Sequence, residues 1–322
     1  MTKFTKRLIA LLAVIGASAL PAIAEDFPTG PVTLIAPFSP GGASDVLART
    51  LADSMSKSLG QPVVVESKPG ASGTIGIGLT AAAKPDGYTM VLGGNGSLVF
   101  TAGVYDLNYD VRTDLRPVGM VANAQSALVV NTASEFDNFA GFLERAKQEP
   151  PLIYGSPGVG SALHLAGELF QELTGVKLTH VPYQGLVPAL TDLQAGNIDL
   201  VFANITSLPP YLDGGKVVPL AVIDDEQSDQ LPGIPTAEEE GIEGMAMNTW
   251  YGVMVPAETD EVIVEKLEAA IADFANSAES IETLKAMGFN PTKDSSTETF
   301  QATLDEDFAT WLPLIERLGI RK

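Results

Sequence analysis

The residues able to do chemistry in this chain are glycines and hydroxyls rather than nucleophiles or metal ligands. Pro37-Phe38-Ser39-Pro40-Gly41-Gly42-Ala43-Ser44-Asp45 follows an apolar run, Val32 to Ala36, and opens an amphipathic helix beginning near Asp45. A glycine pair at a strand-to-helix junction lets backbone N–H groups converge without Cβ interference. Those groups sit at the positive end of a helix, a ready place for an anion. The chemistry expected of Gly41, Gly42 and Ala43 is therefore to hold a carboxylate; the plainer alternative is a tight turn with no ligand. Asp45 reads as a helix cap or a partner for the loop's own N–H groups. Phe38 is either an apolar cleft wall or core.

A second candidate is Gly155-Ser156-Pro157-Gly158-Val159-Gly160-Ser161. It fails the dinucleotide pattern, since Ser161-Ala162-Leu163 stands where a third glycine is wanted, and it lacks the Lys of a phosphate-binding loop. Ser156 and Ser161 hydroxyls can donate to an anion, or Ser161 can cap the next helix. His164, one turn on, reads as a packing or capping residue. No Gly-x-Ser-x-Gly elbow occurs, and the scarcity of histidine argues against acyl-transfer chemistry. Asn204 and Ser207 follow another apolar run, where a side-chain amide donates either to a ligand carboxylate or to the loop itself. Trp250-Tyr251 reads as packing.

Positioning these loops calls for alternating strands and helices, an α/β architecture. Strands are expected at Val32–Ala36, Val63–Glu66, Thr89–Leu92, Ala127–Asn131, Leu152–Tyr154, Leu178–Val181, Leu200–Ala203, Leu220–Val222 and Tyr251–Val255. Val46, Leu47, Leu51, Met55 and Leu59 make one helix face that stops at Gly60; Leu163, Ala166, Leu169, Phe170 and Leu173 make another that stops at Gly175. Val262 to Phe274 and Phe300 to Leu318 supply two C-terminal helices. Three strands run into Gly/Ser-rich loops: Gly93-Gly94-Asn95-Gly96-Ser97, Gly155 to Ser161, and Asn204-Ile205-Thr206-Ser207. Ligands of open α/β sheets bind beyond the carboxyl ends of strands, where such loops gather. Their presence in both halves suggests two lobes facing across a cleft, with Ser97 among the ligand contacts.

The opening residues read as a cleaved signal peptide, residues 1–24. Lys3, Lys6 and Arg7 precede the apolar Leu8–Leu20 and the small-residue pattern Ala22-Ile23-Ala24. The apolar run is shorter than the ~20 residues a bilayer span needs. Without these residues, 16 Lys and Arg face 40 Asp and Glu, a net charge near −24. On that ground nucleic acid is a very poor partner, as is an anionic membrane surface, and neither is expected. The acidic runs Asp224-Asp225-Glu226, Glu238-Glu239-Glu240 and Asp305-Glu306-Asp307 read as solvated surface. The chain has no Cys, which excludes disulfides, thiolate chemistry and a lipoprotein anchor. With His164 and His180 the only histidines, no zinc-ligand spacing arises, and neither a metal nor a cofactor is expected.

Taken in order, these motifs resemble the periplasmic solute-binding receptors of the tripartite tricarboxylate transporters, the Bug family. The resemblance rests on Pro37–Asp45 with Arg49, Gly60-Gln61-Pro62-Val63-Val64-Val65-Glu66, Lys68-Pro69-Gly70-Ala71-Ser72-Gly73 and Pro85-Asp86-Gly87-Tyr88-Thr89. It continues through Tyr154 to Ser161, His180-Val181-Pro182-Tyr183, Leu193-Gln194-Ala195-Gly196-Asn197-Ile198-Asp199 and Thr249-Trp250-Tyr251-Gly252. It implies a two-lobed, type II periplasmic-binding-protein fold with the ligand cleft between the lobes. One lobe would comprise residues 25–122 and 244–322, the other 123–243. The Gly41-Gly42-Ala43 loop would present amides to one ligand carboxylate, often with ordered waters. Ser156, Gly160, Ser161, Tyr183, Gln184, Gly185 and Asn204 would complete the pocket. Ser67-Lys68 stands where Asn-Arg is common, Pro40 where Ala is frequent, and Gln184 where Lys is frequent.

The implied function is a periplasmic receptor, monomeric by default, that delivers a mono-, di- or tricarboxylate, aromatic acids included, to a two-component integral membrane permease. A micromolar complex needs about −8 kcal/mol, and charge-assisted hydrogen bonds contribute about 1.5–3 kcal/mol each. A few amides and hydroxyls therefore suffice without a buried Arg. A periplasmic hydrolase using Ser156 or His164, and a receptor serving a sensor, are the competing readings.

Overall fold

The computed structural model describes residues 27–132 and 138–321. The expected signal peptide lies outside the described residues. Two sheets form the frame. The first is six-stranded, in the order β11-β4-β10-β3-β1-β2. Its strands are β1 (Val32–Ala36), β2 (Val63–Ser67), β3 (Thr89–Gly94), β4 (Leu115–Ala124), β10 (Thr249–Pro256) and β11 (Phe289–Pro291). The second has the order β7-β6-β8-β5-β9, from β5 (Ser126–Asn131), β6 (Leu152–Ser156), β7 (Leu178–Pro182), β8 (Leu200–Asn204) and β9 (Val217–Val222).

Parallel strands covered by helices on both faces read as unbroken apolar runs. Val-Thr-Leu-Ile-Ala of β1 is such a run; it pairs parallel with β2 and β3 and is almost wholly buried. The Ala43–Leu59 helix covers one face through Leu47, Leu51 and Met55 and ends at Gly60, whose φ of 67° closes the helix in the left-handed region. The Ala162–Thr174 helix does the same for the second sheet and ends at Gly175, φ 70°. Both helix stops fall where the sequence puts them.

The expected strands all form, most of them a residue or two longer. Two others were not anticipated. The Leu115–Ala124 strand carries Pro117 and Gly119, which read as breakers, yet it runs antiparallel to β10 inside the sheet, with the short β11 on its other side. The register slips between Val253 and Met254, and Pro117 sits opposite Met254 at that irregularity. A bulge tolerates a residue that cannot donate to the ladder. Gly119 leaves room for the Ser295 carbonyl, which a Cβ would meet at 2.5 Å. β11 is only three residues long, too short for any periodicity to register. The helix Ala278–Ala286 was also missed.

Gln125 alone separates β4 from β5, so the chain passes from one sheet to the other within a single residue. It returns between Val222 and Thr249, where Met247 N–H still donates to the Ile223 carbonyl. The architecture is thus mixed α/β in two lobes.

Candidate functional site

Loops from both sheets meet around a cavity of about 70 Å3. A single water needs roughly 10–15 Å3 by the same kind of measure, so a small organic molecule is the scale of guest that fits. The first lobe contributes Phe38, Gly42 and Ser44 from the loop after β1, and Thr249 and Tyr251 from β10. The second contributes Ser161, Ala162 and Leu163, then Gly185, Leu186 and Val187, and Asn204. Among the described residues no lining side chain carries a formal charge. Tyr251 does not change this: burial raises its phenol well above the usual value, so it stays protonated and neutral.

What the wall offers an anion is helix ends. The Ala43–Leu59 helix starts at Gly42 and the Leu186–Ala195 helix at Gly185, and neither N-cap has a side chain to bond the first-turn N–H groups. An uncapped N-terminus carries orphan donors and the positive pole of the macrodipole. The two ends abut. The Ser39 hydroxyl donates to the Gln184 carbonyl at 2.6 Å, and a Cβ at Gly185 would lie 3.4 Å from the Ser39 Cβ. Gly185 also has a φ of 139°, a conformation that favours glycine. One open helix end from each lobe therefore faces the same small space.

Asp45 shapes the first of these ends from outside the cavity. Its carboxylate accepts from the Gly41 N–H at 3.1 Å and pairs with Arg49 at 2.9 Å. Burial would raise its pKa, but the bonds from Arg49, Gly41 and Ser67 outweigh burial and hold it below the ordinary carboxylate range. Of the two roles open to Asp45, it takes the loop's N–H; the N-cap position is Gly42.

The loop Gly155 to Ser161 is built differently. The Ser161 hydroxyl accepts from the His164 N–H at 3.2 Å and donates to the Gly158 carbonyl at 2.7 Å, so this helix end is filled by its own cap. Gly160 N–H donates to His164 Nδ1 at 3.2 Å. Ser156 Oγ lies 2.7 Å from His180 Nε2, and the two imidazoles pack at 4.2 Å between centroids beside the Tyr154 ring. A Ser–His contact at that distance resembles a nucleophile with its base. Ser156 is fully buried, however, and absent from the cavity wall.

Six expected residues line the cavity: Phe38, Gly42, Ser97, Ser161, Gly185 and Asn204. Ala43 is the first residue of its helix. Gly41, Asp45, Ser156, Gly160, Tyr183 and Gln184 are not on the wall of this cavity. Gly41, Asp45, Ser156 and Gly160 spend their polar groups on internal bonds. Tyr183 and Gln184 point the chain into an adjoining cavity with Ser72 and Gly158, and the Tyr183 hydroxyl donates to Asp192 at 2.7 Å. That neighbouring cavity is bordered by two clasps across the lobes. The Tyr105 hydroxyl donates to the Val159 carbonyl at 2.8 Å, and the Ser72 hydroxyl donates to the same oxygen.

Sequence reasoning missed Ser44, Leu186, Val187 and Thr249, and read Tyr251 as packing. Strand alternation is the signal that finds the last two. Thr249 and Tyr251 share one face of β10, while Trp250 turns the other way, donating Nε1–H to Asp307 at 2.6 Å and meeting Phe300 edge-on. Ser44 Oγ and Thr249 Oγ1 are buried with no hydrogen-bond partner among the described residues. An unpaired buried hydroxyl costs on the order of 1–3 kcal/mol.

Comparison with known proteins agrees with this geometry. Residues 47–320 match the family model of the tripartite tricarboxylate transporter family receptor, TctC. Protein BugT of Bordetella pertussis is 32% identical over 320 residues, covering 97% of this chain and 98% of that one. An R. palustris protein solved with adipate superposes with a TM-score of 0.87 at 34% identity, over 92% of this chain and 99% of the other. MatC from Rhodopseudomonas palustris, with bound malate, gives a TM-score of 0.85 at 28% identity, over 90% and 100%. This chain belongs to the TctC/Bug family of periplasmic solute-binding receptors.

Proposed function

We propose that the chain captures a small carboxylate in the cleft between its lobes and delivers it to a two-component membrane permease of the tripartite tricarboxylate type. The observation that carries this reading is the meeting of two uncapped helix N-termini, at Gly42 and Gly185, on a cavity whose described lining has no charged side chain. The ligand carboxylate accepts from the first-turn N–H groups of both helices, so closing the lobes and binding the anion are one event. Charge-assisted bonds of this kind are about twice as strong as neutral ones. They also reconcile an anion site with a chain of net charge −21, since no basic side chain is needed. Adipate and malate in the two related structures support the class of ligand.

The contacts proposed are Gly42, Gly185 and Asn204 for polar recognition, with the internally bonded Ser97 and Ser161 as neutral wall and Phe38 as an apolar wall. Asp45 and Gly41 act by shaping the loop. The lobes are proposed as residues 25–122 with 244–322 and residues 123–243; the sheets change close to these bounds, at Gln125 just after Asn123 and Ala124 of β4, and again before Thr249. Export follows from the leader pattern of residues 1–24. Among the described residues no helix is long and apolar enough to cross a membrane. The chain acts as a receptor without turnover, a reading supported by the burial of Ser156 away from the cavity.

Thermal-shift screening with carboxylic acids at neutral pH tests the proposal. A ligand at 100 times its Kd stabilises by about 2.7 kcal/mol, which reads as a clear rise in Tm. Binding of a sugar or a cation, with no response to any carboxylate at millimolar concentration, overturns it.

A further inference from the structure

We propose that Ser44 and Thr249 contact the ligand directly from different elements of the wall, Ser44 at its carboxylate and Thr249 at a second oxygen remote from it. This rests on the carboxylate-receptor reading above and adds to it the chemistry of the ligand's far end. Both residues line the cavity, are only 4% and 5% exposed, and hold hydroxyls with no partner among the described residues. Buried polar groups in native proteins are nearly always paired, and those that are not call for a reason.

The neighbouring hydroxyls show what a satisfied one looks like here. Ser97 Oγ donates to the Gly94 carbonyl and accepts the Gly94 N–H, both at 3.2 Å. Ser161 Oγ is bonded on both sides within its own loop. Ser44 and Thr249 differ from these in having no partner among the described residues. Ser44 sits in the first turn of the Ala43–Leu59 helix, beside the orphan N–H groups, so its hydroxyl extends the same carboxylate site. Thr249 is on another element. It opens β10 opposite Ala124, next to the Gln125 crossing, which makes it part of the floor where the chain returns to the first sheet.

A hydroxyl both donates and accepts; beside Tyr251, with no charged side chain among the described lining residues, this one is assigned the donor role toward an oxygen of the ligand. The ligand class is therefore an acid with a hydrogen-bonding oxygen at its distal end. A distal hydroxyl and a second carboxylate share that chemistry, and the probes separate them.

The experiment is calorimetric titration of the full-length mature chain with unsubstituted C4 to C6 acids, their ω-hydroxy acids and the corresponding diacids. Native protein, Thr249→Val, Thr249→Ser and Ser44→Ala are compared. Thr249→Val should weaken binding of one or both oxygenated series about tenfold, the worth of one buried hydrogen bond. It should leave the unsubstituted acids within about twofold, while Thr249→Ser restores the native order. Ser44→Ala should weaken every series alike. Unliganded Thr249→Val should melt no lower than native, because no internal bond is lost. Equal losses across all series in Thr249→Val, no loss at all, or a lower unliganded Tm would each overturn the assignment. Failure of the native chain to bind any carboxylate would instead bring down the receptor reading itself.

Discussion

The loop Pro37 to Ser44 and the loop Gly155 to Ser161 look alike as sequence, each a strand running through glycines and serines into a helix. In the fold they do opposite things. The first leaves its helix end open to the cavity, with Gly42 as an N-cap that has nothing to offer the first-turn N–H groups. The second closes its end with Ser161 and ties its own backbone to His164. The open partner of the first loop is instead Gly185, at the start of the Leu186–Ala195 helix. Glycine at an N-cap leaves donors for a ligand, and serine there consumes them. The same composition thus yields either an open helix end or a self-satisfied turn, and the N-cap residue decides which.

Substitutions at these N-caps are the strongest way to break the comparison. Gly42→Val should lower carboxylate affinity by at least about 100-fold, or about 2.7 kcal/mol. The backbone tolerates a side chain there, at φ −81° with no atom nearer than 3.8 Å to the new Cβ. The protein should therefore stay folded, as circular dichroism would check, and the loss would come from filling the carboxylate's place. Gly185→Ala should cost about tenfold in affinity together with a lower Tm. Its φ of 139° disfavours any side chain, and the Ser39 contact leaves little room.

Asp45→Asn tests the support of the open loop. The carboxylate that holds Gly41 and Arg49 has a pKa below its ordinary 3.8, so it contributes stability above that unfolded value. The contribution is lost as pH falls through the still lower folded value. Melting curves of native and variant should differ by a constant amount from pH 5 to 7 and converge below about pH 3.8. Ser161→Ala is expected to have the smallest effect on binding, within about twofold, while lowering stability by about 1 kcal/mol through loss of the cap. An affinity loss as large as that of Gly42→Val would erase the distinction between the loops.

Much of this was legible in the residues. The strand at Val32–Ala36, the helix stops at Gly60 and Gly175 and the open helix start at Gly42 follow from apolar periodicity and glycine placement alone. What stayed hidden depends on long-range pairing. Pro117 and Gly119 disguise an inner strand because a bulge excuses them. Nothing local reveals that Ser156 faces His180, which lies on a different strand, or that Gln184 falls beside the cavity rather than on its wall. Thr249 was within reach, since alternation from Tyr251 puts it on the same face. Reading Trp250-Tyr251 as a packing pair concealed it.

The central claim is that two open helix ends, one from each lobe, hold a carboxylate without a charged side chain among the described residues of the cavity wall. Calorimetric titration of one tight-binding carboxylate at several salt concentrations, into native protein and Gly42→Val in parallel, tests it most directly. The account predicts micromolar binding to the native chain, only weakly reduced by salt because buried charges are poorly screened, and its loss in Gly42→Val. Unchanged affinity in a folded Gly42→Val protein would contradict it.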